Sequence, residues 1–357
     1  MDFLFSGACH SNRPSDIKYQ LKNTKNVIIT CPSNFTSAIA SDFASSLFHY
    51  HSEPNVSIDF RSIGFVEPFS SLVLAHGLKQ LINVRQHKKL STEVIGVESQ
   101  FGVVSYLKHI GFFKFCGIQA GKDVGEAPGN SNYLPFTKVR SSQIMWKGRV
   151  MQKVIDEKSD QLAGVIFPGP QNAGPAMMLG YSIREIIRNS FEHGLVSECT
   201  VSAQRWANGE AEIAIGDDGI GVYRSLSKTG RYPTPEKAIE ACLLPGVSSQ
   251  SVKDDTEWSN SGFGLYVCSE LGKRFGAFEI ISSYRRVAFN SQRIETKSTD
   301  IAGTLVRLRV STADADYFPN ILAKIVDEGE KIAETLPGSV KSASKMSKTA
   351  GLSKSWS

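Results

Sequence analysis

No apolar run in this chain approaches the roughly 20 residues that a membrane-spanning helix needs, and the longer runs are broken by Ser, Gly or His. The opening, MDFLFSGACHSNRPSD, lacks a basic segment followed by an apolar core, so it does not read as a secretory signal. Six cysteines (Cys9, Cys31, Cys116, Cys199, Cys242, Cys268) lie far apart with no CxxC pair. That predicts neither a zinc site nor a disulfide framework, and it points to a reducing, cytoplasmic location. Acids are missing from the last twenty residues, which carry Lys341, Lys345, Lys348 and Lys354 among many serines. Without those four lysines the net charge of +5 falls to +1, so a nucleic-acid surface is not indicated. The stretch 337–357 reads as a disordered tail. There is no internal repeat.

What is present describes an ordinary globular chain. Its 357 residues predict two domains at roughly 100–200 residues each. A hydrophobic content of 41% with 21% charged residues excludes wholesale disorder. After an N-terminal extension (1–25), the block 26–118 alternates β-rich runs with helical ones. VIITC, VSIDF and TEVIGV read as strands; 35–49, the stretch from Pro68 through Val84, and GVVSYLKHIGFF read as helices. Glu67-Pro68 suits a helix start, with Pro at the first helical position. Strands alternating with helices imply an α/β layer arrangement.

A Gly-rich polar stretch, 119–132, reads as a linker. The second domain, 133–336, runs helix, helix, strand, strand, a long irregular region, helix, strand, strand, helix. That order implies an α+β sandwich, with an antiparallel sheet covered by helices on one face.

Four segments of this domain carry chemistry. In REIIRNSFEHG, Glu185 and Asn189 are four apart, so one helical face presents a carboxylate and a carboxamide, able to position a water and to offer oxygen to Mg²⁺. In AEIAIGDDGIGV a strand ends at Asp217, an acceptor suited to an exocyclic amine, and Gly219 and Gly221 permit close backbone approach to a flat ligand. In SNSGFGLYVCSELGKRFG, Gly262 and Gly264 feed a helix whose N-terminus can cradle phosphate. In AGTLVRLRV, Gly303-Thr304 opens a strand. Each segment alone is also read blandly, as an amphipathic helix, a turn or a plain strand. The stretch 222–261 shows no sheet pattern and reads as a functional lid or a disordered loop.

In this order and spacing, over about 120 residues, the four segments resemble the nucleotide-binding boxes of the GHKL superfamily, whose ATP-binding architecture is the Bergerat fold. ExxxN matches Glu185 and Asn189, DxGxG matches Asp217, Gly219 and Gly221, GxGL matches Gly262, Gly264 and Leu265, and the late Gly-Thr matches Gly303 and Thr304. The resemblance implies an α/β sandwich, a mixed sheet with helices on one face. It implies ATP and Mg²⁺ as cofactors. Asn189 would coordinate the Mg²⁺, Glu185 would act as general base or water-orienting group, and Asp217 would bind the adenine amine with Thr304 in support. Gly219 and Gly221 would let the nucleotide approach, and Gly262 and Gly264 would hinge a lid over the phosphates. His193, one turn beyond Asn189, matches a position often His or Lys in the kinase branch, and reads equally as a capping or packing residue.

Residues 133–171 contain no histidine, which excludes a sensor histidine kinase with its acceptor just before the ATP domain. About twenty residues follow the ATP domain, too few for the second domain of the gyrase, MutL and heat-shock branches. The first block is similar to STAS domains, the fold of anti-sigma-factor antagonists, which GHKL serine kinases phosphorylate. Where those carry a phosphorylatable Ser, this chain reads Glu67-Pro68-Phe69, with Ser70 and Ser71 nearby. The expected function is an ATPase that switches its lid and regulates the STAS-like domain or a protein partner, a homodimer being allowed. A serine kinase acting on a separate protein and a non-catalytic ATP-gated interaction module stand beside it.

Overall fold

The computed structural model describes residues 26–140, 151–169, 173–249, 261–290, 293–311 and 318–343. The predicted N-terminal extension, positions 250–260 of the expected lid and the tail beyond 343 lie outside these residues. The protein is a mixed α/β structure: N-terminal parallel β-α units and a C-terminal seven-stranded antiparallel sheet packed against helices. No helix among the described residues is long and apolar enough to cross a membrane.

The N-terminal part runs β1 (Val27–Thr30), β2 (Asn34–Phe35), α1 (Ser37–Leu47), β3 (Asn55–Asp59), β4 (Phe65–Val66), α2 (Pro68–His87), β5 (Ser91–Ile95), α3 (Gly102–His109) and α4 (Phe112–Phe115). Its parallel sheet has the order β1-β3-β5. Helix α2 starts where Glu67-Pro68 predicts, and the Ser70 hydroxyl accepts the Glu67 N–H at 2.9 Å. Buried residues extend around the whole circumference of α2, because it is packed on both sides. The stretch 119–132 forms no helix or strand, yet it is no free linker: Lys122 N–H donates to Lys108 O at 2.9 Å and Ala127 is buried.

The C-terminal part runs β6 (Tyr133–Arg140), α5 (Met151–Ile166), α6 (Ala173–Glu192), β7 (Glu198–Arg205), β8 (Glu210–Asp217), α7 (Gly221–Leu226), α8 (Pro235–Ala241), α9 (Gly264–Phe275), β9 (Gly276–Ser282), β10 (Arg285–Asn290), β11 (Arg293–Ser298), β12 (Thr304–Ser311) and α10 (Phe318–Thr335). The sheet order is β11-β10-β9-β12-β8-β7-β6. Every pairing is antiparallel, which corrects the expectation of a mixed sheet.

Three further expectations are corrected. Sequence reading missed strands: β6 contains Pro135, which argues against a strand except at an edge or bulge, and β6 is both an edge strand and bulged between Leu134 and Thr137. Four strands follow α9 rather than two, since the charged β10–β11 hairpin carries little apolar signal. The stretch 222–249 is not irregular but holds α7 and α8, the latter announced by Thr234-Pro235 as cap and first residue. Finally, disorder does not begin at 337. Val340 N–H donates to Gly246 O at 2.8 Å, and Lys341 Nζ reaches the carbonyls of Ala333 and Leu336, each at 2.6 Å, at the end of α10.

Strand alternation assigns the two faces of the large sheet. On β8, Ile213 and Ile215 join the core beneath α6 and α9, and Asp217 follows in the same phase. The opposite phase of β8, with Glu212, Ala214 and Gly216, meets the N-terminal part; Ala214, Leu305, Ile281 and Phe136 belong to that part's hydrophobic core. Helices thus cover one face and the N-terminal domain covers the other, so neither face of the central strands is left to solvent.

Between those layers lies a charged cluster. Arg307 Nη2 is 2.7 Å from Glu212 Oε2, and Arg309 Nη1 is 2.6 Å from Glu67 Oε1 at the start of α2. Phe69 N–H, a donor the helix itself leaves unpaired, donates to Glu212 Oε1 at 2.9 Å. Burial pushes the Glu212 carboxyl above its ordinary value, against the opposing pull of Arg307.

Candidate functional site

Helix α6 supplies one wall of a cavity on the helical side of the sheet. Leu179, Ile183 and Ile187 anchor it in the core, and the next face turns Ile186, Asn189, Ser190 and His193 into the cavity. The helix closes at His193 and Gly194, whose N–H groups both reach Asn189 O, at 2.9 and 3.0 Å. Strand β8 contributes Ile215 and Asp217 at its end, and β12 contributes Thr304 and Val306. Thr304 pairs directly opposite Asp217 in the ladder. The cavity is partly open to solvent at its mouth.

Asp217 is almost fully buried. Its Oδ1 accepts the Gly219 N–H at 2.8 Å, and Ser190 bonds the same carboxylate. Burial pushes the carboxyl above its ordinary value, and those two hydrogen bonds oppose the shift. The Thr304 hydroxyl lies 2.9 Å from Ser282 Oγ, so its partner in this structure is Ser282.

The glycine-rich turn before α9 closes the far side, bringing Gly262, Gly264 and Leu265 to the cavity. Gly262 has φ +68°, and a Cβ there would lie 2.7 Å from Val247 O. A Cβ on Gly264 would sit 2.3 Å from the Glu185 Cβ, so α9 meets α6 with no room for a side chain. Gly219 similarly packs on Gly194 O, at 2.5 Å from its would-be Cβ, and Gly221 packs on Ser283 Oγ at 2.8 Å. These glycines make room for the protein's own backbone and hydroxyls. Gly221 lines the cavity, whereas Gly219 is not among its lining residues.

Glu185 lies beside the cavity, not in its lining. It is 2% exposed, does not line the cavity, and sits behind Gly264 with Arg188 Nη1 and Arg184 Nη2 at 3.8 and 4.0 Å from Oε1. Its Oε1 has no hydrogen-bond partner among the described residues. Burial pushes this carboxyl above its ordinary value, with Arg188 and Arg184 pulling against it. The other predicted site residues, Asn189, His193, Asp217, Gly262, Gly264, Leu265 and Thr304, converge on one cavity although 115 positions separate the first from the last. Arg188 and Lys273 are tied to acids: Arg188 to Glu192 at 2.5 Å and Lys273 to Glu270 at 2.6 Å.

Sequence reasoning missed the wall built by 222–249. Ser225, Leu226, Cys242, Val247 and Ser249 all line the cavity. The hydroxyls chain together: Ser225 Oγ donates to Ser249 Oγ at 3.0 Å, and Ser249 Oγ lies 3.0 Å from His193 Nδ1. Burial pushes the His193 imidazole below its ordinary value, while neighbouring Glu192 opposes the shift. No spacing rule singles out these serines.

Compared with known proteins, the chain matches no protein-family model, and no curated protein is significantly similar to it.

Proposed function

We propose that this cavity binds ATP with Mg²⁺, in the manner of the GHKL nucleotide-binding fold, and that the protein hydrolyses it. One observation supports this above the rest: an amide from α6, a buried carboxylate from β8, a hydroxyl from β12 and the glycine turn of α9 line one cavity. Asp217 is the acceptor for the exocyclic amine of adenine, fixed by Ser190 and Gly219, with Thr304 beside it. Ile186, Ile215, Val306 and Leu226 supply apolar contact for the purine. The N-terminus of α9, a twelve-residue helix, would face the phosphates with N–H groups that the helix itself does not pair and with its positive dipole end.

The donor set fits magnesium rather than a metal held by protein alone. The Asn189 amide lines the cavity, and no cluster of three His, Cys, Asp or Glu among the described residues could hold an ion. Mg²⁺ prefers phosphate oxygens and water with few protein ligands, which one amide oxygen satisfies. The ion supplies charge neutralisation of the phosphates. Asn189 would hold it and the α9 turn would bind the terminal phosphates, while Glu185, which lies behind Gly264 and outside the lining, would accept a proton from water only where the α9 turn opens to it.

The STAS-like domain meets this site from the far side of the sheet. Regulation of that domain, or of a protein partner, runs through the strand ends. A cytoplasmic location accompanies this reading, since the five described cysteines are free and buried. The placement of Glu185 outside the cavity lining favours a second reading, an ATP-gated interaction module without turnover.

Purified full chain with ATP and Mg²⁺ tests all of these together, by measuring nucleotide binding, ADP release and protein-bound phosphate. Binding with ADP release to water and its loss in Glu185→Ala supports the ATPase; binding without product supports the gated module. Labelled phosphate passing to another protein indicates a serine kinase. Absence of ATP binding sinks the proposal.

A further inference from the structure

Asp217 and Asp218 are adjacent but face opposite sides of the sheet. Asp217 enters the cavity; Asp218 reaches across to α2 of the N-terminal domain. There Lys79 Nζ donates to Oδ2 at 2.5 Å, and Oδ1 lies 3.0 Å from His76 Nδ1 in close contact without hydrogen-bond geometry. His76 is fully buried, its ring 5.1 Å from that of Phe115, and the Lys79 ammonium lies 4.8 Å over the same Phe115 ring. One residue further along α2, Gln80 brackets the backbone just before Gly303-Thr304. Its Nε2 donates to Ala302 O at 3.3 Å, and its Oε1 accepts from Ala302 N–H at 3.5 Å.

The same short stretch of α2 therefore grips the end of β8 and the start of β12, the two chain segments that carry Asp217 and Thr304. Gly216 makes the close approach feasible: a Cβ there would lie 3.0 Å from His76 Nε2, 3.1 Å from Leu72 Cδ2 and 2.5 Å from Leu305 Cδ2. Residues Asp217 and Thr304 face each other in the ladder, so a shift of either strand end changes both.

We propose that His76, Lys79 and Gln80 of the N-terminal domain are positioning residues for base recognition, acting through Asp218 and Ala302 to hold Asp217 and Thr304 in register. The N-terminal domain is then a structural part of the nucleotide site. This deepens the ATP reading and rests on it. A carboxylate that reads an amine does so through a charge-assisted hydrogen bond, whose loss weakens binding by roughly tenfold or more. The effect appears only with a ligand that has the amine.

The test compares ATP with inosine triphosphate, which lacks the exocyclic amine, by equilibrium binding to the full chain with Mg²⁺ in excess. Lys79 and Asp218 are 26% and 48% exposed in their side chains, so K79M and D218N are expected to fold; thermal unfolding checks this. The expected result is about tenfold weaker ATP binding in D218N and in the K79M/Q80L pair, with inosine triphosphate binding changed less than about twofold. K79R, which keeps the charge, restores the preference for ATP. Equal weakening of both nucleotides marks a merely structural role and overturns the inference, as does unchanged ATP binding in both variants. If the wild-type chain binds neither nucleotide, the functional reading fails first and carries this inference with it.

Discussion

The backbone N–H of Phe69 donates to the Glu212 carboxylate at 2.9 Å, joining the first turn of a helix in one domain to the central strands of the other. That carboxylate also holds Arg307, and Arg309 reaches from β12 to Glu67 at the helix start. The N-terminal domain is consequently fixed by buried, directional contacts, not merely by apolar surface.

Removing one partner of this cluster leaves an uncompensated charge in the interior. Arg307→Met is expected to lower stability by about 3–5 kcal/mol, whereas Arg307→Met with Glu212→Gln recovers much of that loss. Denaturant unfolding of the three proteins checks it. Calorimetry of the wild type is expected to show both domains unfolding in one transition; two separate transitions would refute the interface as a stabilising unit.

Glu185 is expected to cost stability where it is ionised. Its carboxyl is pushed above the ordinary value of 4.5 by burial, so the unfolded chain ionises first as pH rises. The native state is then disfavoured increasingly up to the folded pKa. Glu185→Gln should raise Tm at neutral pH by about 2 °C, the scale of roughly 1 kcal/mol in a large domain. The gain should vanish below pH 4.5, where both forms of the wild type are protonated. Melting curves at neutral and acid pH decide this, and a constant offset across pH would show that ionisation is not its cause.

The segment after α10 is expected to restrain the cavity wall. Arg231 donates to Pro337 O and Gly338 O at 3.0 and 2.7 Å, and Val340 N–H donates to Gly246 O at 2.8 Å. At Gly246, φ is +73° and a Cβ would lie 2.1 Å from Val340 O. Gly246→Ala should therefore destabilise by about 1–3 kcal/mol. Arg231→Ala, at an exposed site, should leave the global Tm nearly unchanged yet raise the rate of proteolytic cleavage within 222–249. Timed digestion followed by mass spectrometry reads the difference.

Ser70 and Ser71 should remain unphosphorylated in the native protein. Ser70 Oγ donates to Phe35 O at 2.6 Å and Ser71 Oγ to Pro68 O at 2.7 Å, and both are buried. Mass spectrometry after incubation with ATP and Mg²⁺ should find neither modified. Ser70→Ala should cost about 1–2 kcal/mol, since it leaves the Glu67 N–H without its acceptor.

Much of the fold is legible where one local rule dominates. The start of α2 is written in Glu67-Pro68, and the phase of β8 in Ile213 and Ile215. Strand β6 was obscured by Pro135, because the sequence does not say that this strand lies at an edge. Asn189, Asp217 and Thr304 were legible as a candidate site only through the resemblance of the four segments in order, since each alone reads as an ordinary helix, turn or strand. Ser225 and Ser249 were not, since a serine has the same local propensity whether it bonds a histidine or water.

Alternation and capping, both matters of neighbours a few positions apart, determined which residues of each strand share a face and where the principal helices begin. What those faces would meet was decided only by tertiary packing. Glu212, Arg307 and Asp218 are polar residues on a strand phase or turn that a sequence assigns to solvent, and the folded chain buries or covers that side with α2. The reason is physical: periodicity fixes the direction of a side chain relative to its own backbone, whereas its partner comes from a segment 95 or more residues away, and only the packed structure brings the two within hydrogen-bonding distance.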